Sequence, residues 1–253
     1  MAFSVAQWHQ RYTQQAQWSA SLRAYLMAQI GIQPSTIMLD VGCGTGVLEK
    51  DLMSQYQTRV FGLDLDTQAL QFARTYAPSS IFISGDAIAL PFASGNFDIT
   101  FCHFVLLWIQ DVHQALAEMV RVTRPNGYVI ALAEPDYGGR IDYPDELSQL
   151  GRWQQESLLQ QGANPCMGRE LRALFHQSGL KNVEAGVMGG QWADVNPGIE
   201  NQLEWDVIAA DLSGNPDFLE KASLLNKIDQ LSREAGQRIL FVPTFYAIGV
   251  VRE

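Results

Sequence analysis

The sequence predicts a doubly wound α/β fold with a mostly parallel, seven-stranded sheet. Three observations carry this expectation. Short apolar runs alternate with stretches of helical period between Ile37 and Pro135. Strands that alternate with helices pair in parallel, because a parallel pair needs a crossover connection. A glycine cluster follows the first apolar run, and the acids Asp64 and Asp86 close the next two. In open sheets of this kind, ligands bind beyond the carboxyl ends of the strands, where all these residues fall.

The elements follow in order. Over residues 1–33, Trp8, Tyr12, Trp18, Leu22, Tyr25, Leu26 and Ile30 recur at spacings of three and four, which predicts helix. Residues 37–42 form a first strand, and a helix runs from the glycine cluster to about Gln55. The second strand covers 59–64, followed by a helix over 66–77 capped by Asp66 or Thr67. Residues 81–86 and 97–104 are the third and fourth strands, and 113–124 a helix. The turn Pro125-Asn126-Gly127 opens the fifth strand, 128–135. Residues 144–161 read as an inserted helix, and 169–178 as a helix stopped by Gly179. A strand over 183–192, helices over 200–210 and 218–235, and one final strand over 238–253 complete the sheet.

The glycine cluster reads Asp40-Val41-Gly42-Cys43-Gly44-Thr45-Gly46. Glycines between a strand and a helix let the backbone turn and approach a ligand closely, while the helix aims its first amides at the same crevice. Two ligands compete for the site. A dinucleotide loop has the spacing G-x-G-x-x-G/A; here the third glycine comes one residue early and Val47 takes the dinucleotide position. The acid at Asp40 suits an ammonium group better than a pyrophosphate. Asp64, 22 positions after Gly42, can accept both hydroxyls of a ribose, which either ligand carries. Asp66 competes for that role, although Asp at a helix start often serves as a cap. Asp86 can accept from an adenine amino group or simply form a turn.

Composition narrows the partners. Hydrophobic content of 47% and charged content of 17% over 253 residues are ordinary for a globular chain. A formal net charge of -10 without a Lys/Arg run disfavours nucleic acid and anionic membrane surfaces. Cys43, Cys102 and Cys166 are too few and too scattered for a disulfide framework or a zinc site, so no metal is expected and a reducing, cytoplasmic setting is. The first residues lack the plan of a signal peptide, and no run approaches about 20 apolar residues.

The segments LDVGCGTG, GLDLD, GDAIALPF, NFDITFCHFVL and RVTRPNGYVIALAEPD, in this order and spacing, resemble class I S-adenosylmethionine-dependent methyltransferases. The likeness is to the small-molecule branch that includes the ubiquinone/menaquinone-biosynthesis enzymes, and it is specific over about residues 35–135. It implies a Rossmann-like methyltransferase fold with S-adenosyl-L-methionine as cofactor, S-adenosyl-L-homocysteine as product and a small-molecule acceptor, methylated on O or N. Gly42, Gly44 and Gly46 would line the methionine and ribose, and Asp40 would hold the ammonium. Asp64 would bind the ribose, Leu65 would pack on the adenine, and Asp86 with Ala87 would take its amino edge. Cys102, His103 and Phe104 would lie under the sulfonium, and Tyr12 would reach the methionine carboxylate.

The expected organisation is one domain over 1–253: an N-terminal helical lid (1–33), a cofactor-binding core (35–135), a helical insert after strand five (136–165), and the rest of the sheet with the acceptor pocket (166–253). Two departures stand out. Arg124-Pro125-Asn126-Gly127 replaces the family's Lys-Pro-Gly-Gly turn, and Leu107 and Trp108 stand where a histidine is frequent.

Methyl transfer needs alignment more than a strong base, although a hydroxyl acceptor benefits from one. Candidate catalytic groups are His103 and Glu134, followed by Asp136 and His9; His113 and His176 lie on outer helices. The aromatics Trp8, Tyr12, Trp18, Tyr137, Tyr143, Trp153 and Trp192 line an acceptor pocket or pack lid helices onto the sheet. The competing functions are a non-methylating protein of the same fold, an NAD(P)-linked oxidoreductase, and a nucleic-acid methylase. The last lacks the Asn/Asp-Pro-Pro-aromatic motif.

Overall fold

The computed structural model describes residues 4–190 and 198–253. The parallel part of the sheet begins with β1 (Ile37–Val41), α3 (Val47–Tyr56), β2 (Arg59–Asp64), α4 (Thr67–Tyr76) and β3 (Ile81–Ser84), and continues with β4 (Phe97–Cys102), α5 (Val112–Val122) and β5 (Thr123–Pro135). Two helices precede it, α1 (Val5–Trp18) and α2 (Ala20–Ile30). After it come β6 (Ile141–Tyr143), α6 (Ser148–Gln160), α7 (Met167–Gln177) and β7 (Lys181–Met188), then α8 (Gly198–Asp211), α9 (Pro216–Glu234), β8 (Ile239–Phe241) and β9 (Thr244–Val250).

The main sheet has seven strands in the order β3-β2-β1-β4-β5-β9-β7. β1 to β5 pair in parallel, and β9 runs antiparallel to both β5 and β7. The expected fold class is therefore present. Its strands are buried on both faces, so successive residues feed two cores. Leu39, Val41, Leu63, Val129 and Ala131 face Leu116 and Met119 of α5 and Leu171 and Phe175 of α7. Met38, Val60, Ile99, Phe101 and Ile130 face Leu26 and Met27 of α2 and Leu48 and Leu52 of α3. Strand order reverses between β1 and β4, and a crevice opens at that point.

Three local differences from the sequence expectation have physical reasons. The N-terminal helical stretch breaks at Ser19 (φ -89°, ψ 1°). Its buried hydroxyl lies 3.3 Å from the carbonyl of Ala16, a local bond that competes with helix continuation. The turn before the fifth strand is absorbed into β5 as a register shift: Thr123 pairs with Phe97, Tyr128 with Ile99, and Asn126 takes φ 61°. Asn tolerates that conformation. The single closing strand is two strands, split at Val242-Pro243, because proline lacks the N–H a ladder needs. β9 enters the main sheet, whereas β8 pairs with β6 in a separate two-stranded sheet. The expected strand over 183–192 is β7, ending at Met188, and Trp192 lies outside the described residues.

The inserted helix does not stand alone. Leu147, Leu150 and Trp153 pack with Ile208, Leu212 and Ala222, joining α6 to α8 and α9 in a helical cap. Arg238 ties the cap together, donating to Asp142 at 2.8 Å and Asp229 at 2.6 Å, with all three side chains buried. Removing one partner of such a buried network costs about 3–5 kcal/mol. Among the described residues, no helix is long and apolar enough to cross a membrane.

Candidate active site

The glycine loop is shaped by its neighbours. The amides of Gly42 and Cys43 both donate to the carbonyl of Leu63, at 2.7 and 3.0 Å, and that of Gly44 to Asp64 Oδ2 at 2.7 Å. Gly42, Gly44 and Gly46 have φ of 80°, 52° and 78°, in the left-handed region. A Cβ on Gly42 would sit 2.4 Å from Val105 Cγ2, and one on Gly44 2.8 Å from Tyr12 Cε2. Gly46 caps α3 away from the crevice, where a Cβ would meet the side chains of Phe82 and Ala73.

A cavity of about 570 Å³ opens above this loop. Of the residues singled out in the sequence, Asp40, Gly42, Gly44, Asp64, Leu65, Asp86, Ala87, His103 and Tyr12 line it. Gly46, Cys102 and Glu134 do not border it. The Cys102 side chain is packed in the core between the sheet and α5. Asp64 and Asp66 separate cleanly: Asp66 caps α4 by accepting from the amides of Gln68 and Ala69, while Asp64 holds the loop and faces the cavity. Leu65 is 67% exposed, an apolar side chain beside the crevice.

α1 forms one wall, placing Trp8, Arg11, Tyr12 and Gln15 on the cavity. His9, one of the candidate bases, is turned away from it. Its Nδ1 lies 2.9 Å from Thr45 Oγ1, and its ring packs on Phe72 and Tyr76, pinning α1 to the loop. Burial, with Lys50 nearby, lowers its proton affinity. The opposite wall comes from the cap, including Tyr137, Leu158, Val207, Ala210 and Asp211.

The candidate bases are mostly committed elsewhere. Glu134 is fully buried, and its oxygens accept from the amides of Val105, Leu106 and Leu107 at 2.9, 2.9 and 3.2 Å. Burial outweighs those bonds and pushes its carboxyl up to about 7. Asp136 receives a bidentate pair from Arg169, at 2.6 and 2.7 Å. His103 borders the cavity, with Nε2 2.9 Å from Ser19 Oγ. Burial, and then the Arg23 charge, brings it down to about 3, so the ring is neutral and a weak proton acceptor.

Behind the loop lies a carboxyl pair of which sequence reasoning saw only one member. Glu49, on α3, is fully buried, and its Oε1 fills the space where a side chain on Gly62 would begin. Gly62 is the β2 partner of Asp40. Asp40 Oδ1 and both Glu49 oxygens have no hydrogen-bond partner among the described residues. Burial raises both carboxyls, Glu49 to about 8; Asp40 is raised further by the Glu49 and Asp64 charges, with Arg23 opposing. A mid-strand glycine beside the acid was the available signal for Glu49.

This pair has a pH signature. The raised native value means that folded Glu49 keeps a proton between pH 4.5 and about 8 that the unfolded chain releases. Stability without cofactor should therefore fall as pH rises through that window and level off above it, by several kcal/mol, each raised pKa unit being worth about 1.4 kcal/mol. Glu49→Gln should match the wild type near pH 5 and exceed it at pH 8. Chemical denaturation across the window checks this, and parallel wild-type and variant curves would contradict it.

Known proteins bear on the site's class. A methyltransferase domain model matches residues 39–131. The chain is 31% identical over 178 residues to the demethylmenaquinone methyltransferase of Renibacterium salmoninarum, covering 69% of this chain and 73% of that one. It is 35% identical over 134 residues to the malonyl-[acyl-carrier protein] O-methyltransferase of Pectobacterium atrosepticum, covering 53% of this chain and 48% of the relative. The structure of the [4+2]-cyclase SpnF superposes with a TM-score of 0.62 at 16% identity, over 92% of this chain and 80% of that one, a likeness of fold alone. The chain belongs to the S-adenosylmethionine-dependent methyltransferase family. It is a methyltransferase of the small-molecule branch and uses S-adenosyl-L-methionine.

Proposed function

We propose that the cofactor lies along the β1–β2–β3 edge of the cavity and the acceptor between the β4–β5 end and the helical cap. The observation that carries this is Asp40: a buried carboxyl on the cavity wall with an unpartnered oxygen. An ammonium group supplies the donors and the positive charge that this oxygen lacks. Asp64 then takes the ribose hydroxyls, and Leu65 packs on the adenine with Asp86 and Ala87 at its amino edge. Tyr12 suits the methionine carboxylate. Burial and the Asp64 charge push its hydroxyl up to about 12, so it stays a donor.

Bound there, S-adenosylmethionine supplies an activated methyl group. What the chain adds is alignment and the exclusion of water. α1 and α2 act as the lid, held to the loop by His9–Thr45 and to His103 by Ser19. His103 is a positioning residue in this reading. Glu134 fixes the backbone after β4 that forms the floor under the methyl group. The acceptor is a small molecule methylated on O or N. With His103 neutral and Glu134 and Asp136 engaged, it is one that gives up its proton readily, such as an amine or an acidic hydroxyl.

Calorimetry with S-adenosylmethionine, S-adenosylhomocysteine and NAD tests the site. Micromolar binding of both sulfur nucleosides and none of NAD is expected. Binding of NAD alone would overturn the reading. Labelled S-adenosylmethionine offered with a panel of small O- and N-acceptors then identifies the product.

A further inference from the structure

Arg11 is the feature of the cavity that the cofactor does not explain. It projects from the lid helix α1 onto the cavity wall, beyond Tyr12 and towards the cap. Its guanidinium lies 4.7 Å from the ring centre of Trp18, and Nη1 donates to Gln14 Oε1 at 2.9 Å. A guanidinium carries five N–H donors; among the described residues no other hydrogen bond holds this one, and no carboxylate oxygen lies within 4.0 Å of it. Burial makes the charge costly, lowering its proton affinity. The nearby acids are occupied: Glu204 is 3.1 Å from Arg233, and Asp211 Oδ2 accepts from Gln154.

Tyr137 faces the same space from the opposite wall. Its hydroxyl has no hydrogen-bond partner among the described residues, and it is close enough to Arg11 for each to alter the other's proton affinity. Burial pushes the phenol up to about 12, so it too presents an O–H donor. The rest of this half of the cavity is mostly apolar, with Phe104, Ile109, Leu158 and Val207 on its walls, and Gln161, Asp211 and Ser213 are its other polar members. A positive, planar donor and a neutral hydroxyl facing a mostly apolar chamber suit a carboxylate on an otherwise apolar molecule.

We propose that Arg11 and Tyr137 bind a carboxylate of the methyl acceptor, so that the enzyme selects apolar carboxylic acids. This rests on the cofactor placement above, in which Tyr12 and the glycine loop, and not Arg11, hold the carboxylate of the cofactor. The same guanidinium would suit either carboxylate, so the test must separate the two.

The full-length protein is saturated with S-adenosylhomocysteine and titrated calorimetrically with 4-phenylbutyrate and with its uncharged amide. The acid should bind at least about tenfold more tightly than the amide, the range of one charge-assisted contact. Arg11→Gln should erase that preference, Tyr137→Phe should reduce it, and both should keep the wild-type melting temperature. Affinity for S-adenosylhomocysteine and for methylthioadenosine, which lacks the carboxylate, should stay within about twofold in Arg11→Gln, too small a change for a lost charge-assisted contact. Equal binding of acid and amide, or no binding of the acid, overturns the proposal. So does a loss of S-adenosylhomocysteine affinity in Arg11→Gln with methylthioadenosine unaffected, which gives the guanidinium to the cofactor. Failure of the wild type to bind either nucleoside instead refutes the underlying site.

Discussion

Asp64→Ala should weaken binding of S-adenosylhomocysteine by about 100-fold or more while leaving the sheet folded. The carboxylate has two tasks. Oδ2 holds the amide of Gly44, and Oδ1 accepts from the amide of Asp66. In the proposed complex it also receives two ribose hydroxyls. Each polar group left unmatched costs about 1–3 kcal/mol, and about 1.4 kcal/mol is tenfold in affinity. Two hydroxyls and a loosened glycine loop therefore exceed two decades. Asp66→Ala is the control. It removes the cap of α4, worth about 1 kcal/mol of stability, and should change affinity little. If Asp66→Ala loses binding and Asp64→Ala keeps it, the ribose has been assigned to the wrong acid.

Glu134→Ala should be among the most damaging single substitutions for stability, at about 3–5 kcal/mol, because it strands two buried amide donors and one part-buried one at once. Those of Val105, Leu106 and Leu107 open the short 3-10 turn after β4 and have no other acceptor among the described residues. Glu134→Gln should fall between: its carbonyl can still accept from two amides, but its NH₂ then faces a donor. Denaturant unfolding measures both. A Glu134→Ala protein within about 1 kcal/mol of wild type would show that water or a backbone shift satisfies these donors.

The way Glu134 works also shows what the sequence could and could not say. Its place at the end of the fifth strand was legible, because strand ends border the crevice in this topology. Its partners were not, since nothing in the composition of residues 105–107 shows that their amides converge on one point. The glycine loop, Asp64 and Asp86 were readable because their spacing is fixed by local turns. Asp66 could be told from Asp64 by its place at a helix start. Arg11 and Glu49 were missed for the same reason as each other: charged residues on predicted helices are normally solvated, and only packing against distant elements buries them. The break at Ser19 had no glycine or proline to announce it. The split at Pro243 did have one, and the closing strand should have been read as two.

The place of β9 has a consequence for how the chain is assembled. It lies between β5 and β7, although it is the last strand in sequence. The pairings among β1 to β4 can form as soon as those segments exist, whereas β5 and β7 must wait, each with an open edge, for residues 244–250. Such distant pairings form slowly, and unpaired edges invite association with other chains. During synthesis the β1–β4 side of the sheet thus emerges with its partners at hand. The β5–β7 side of the sheet stays unfinished until that one short segment passes between the two waiting edges and closes it.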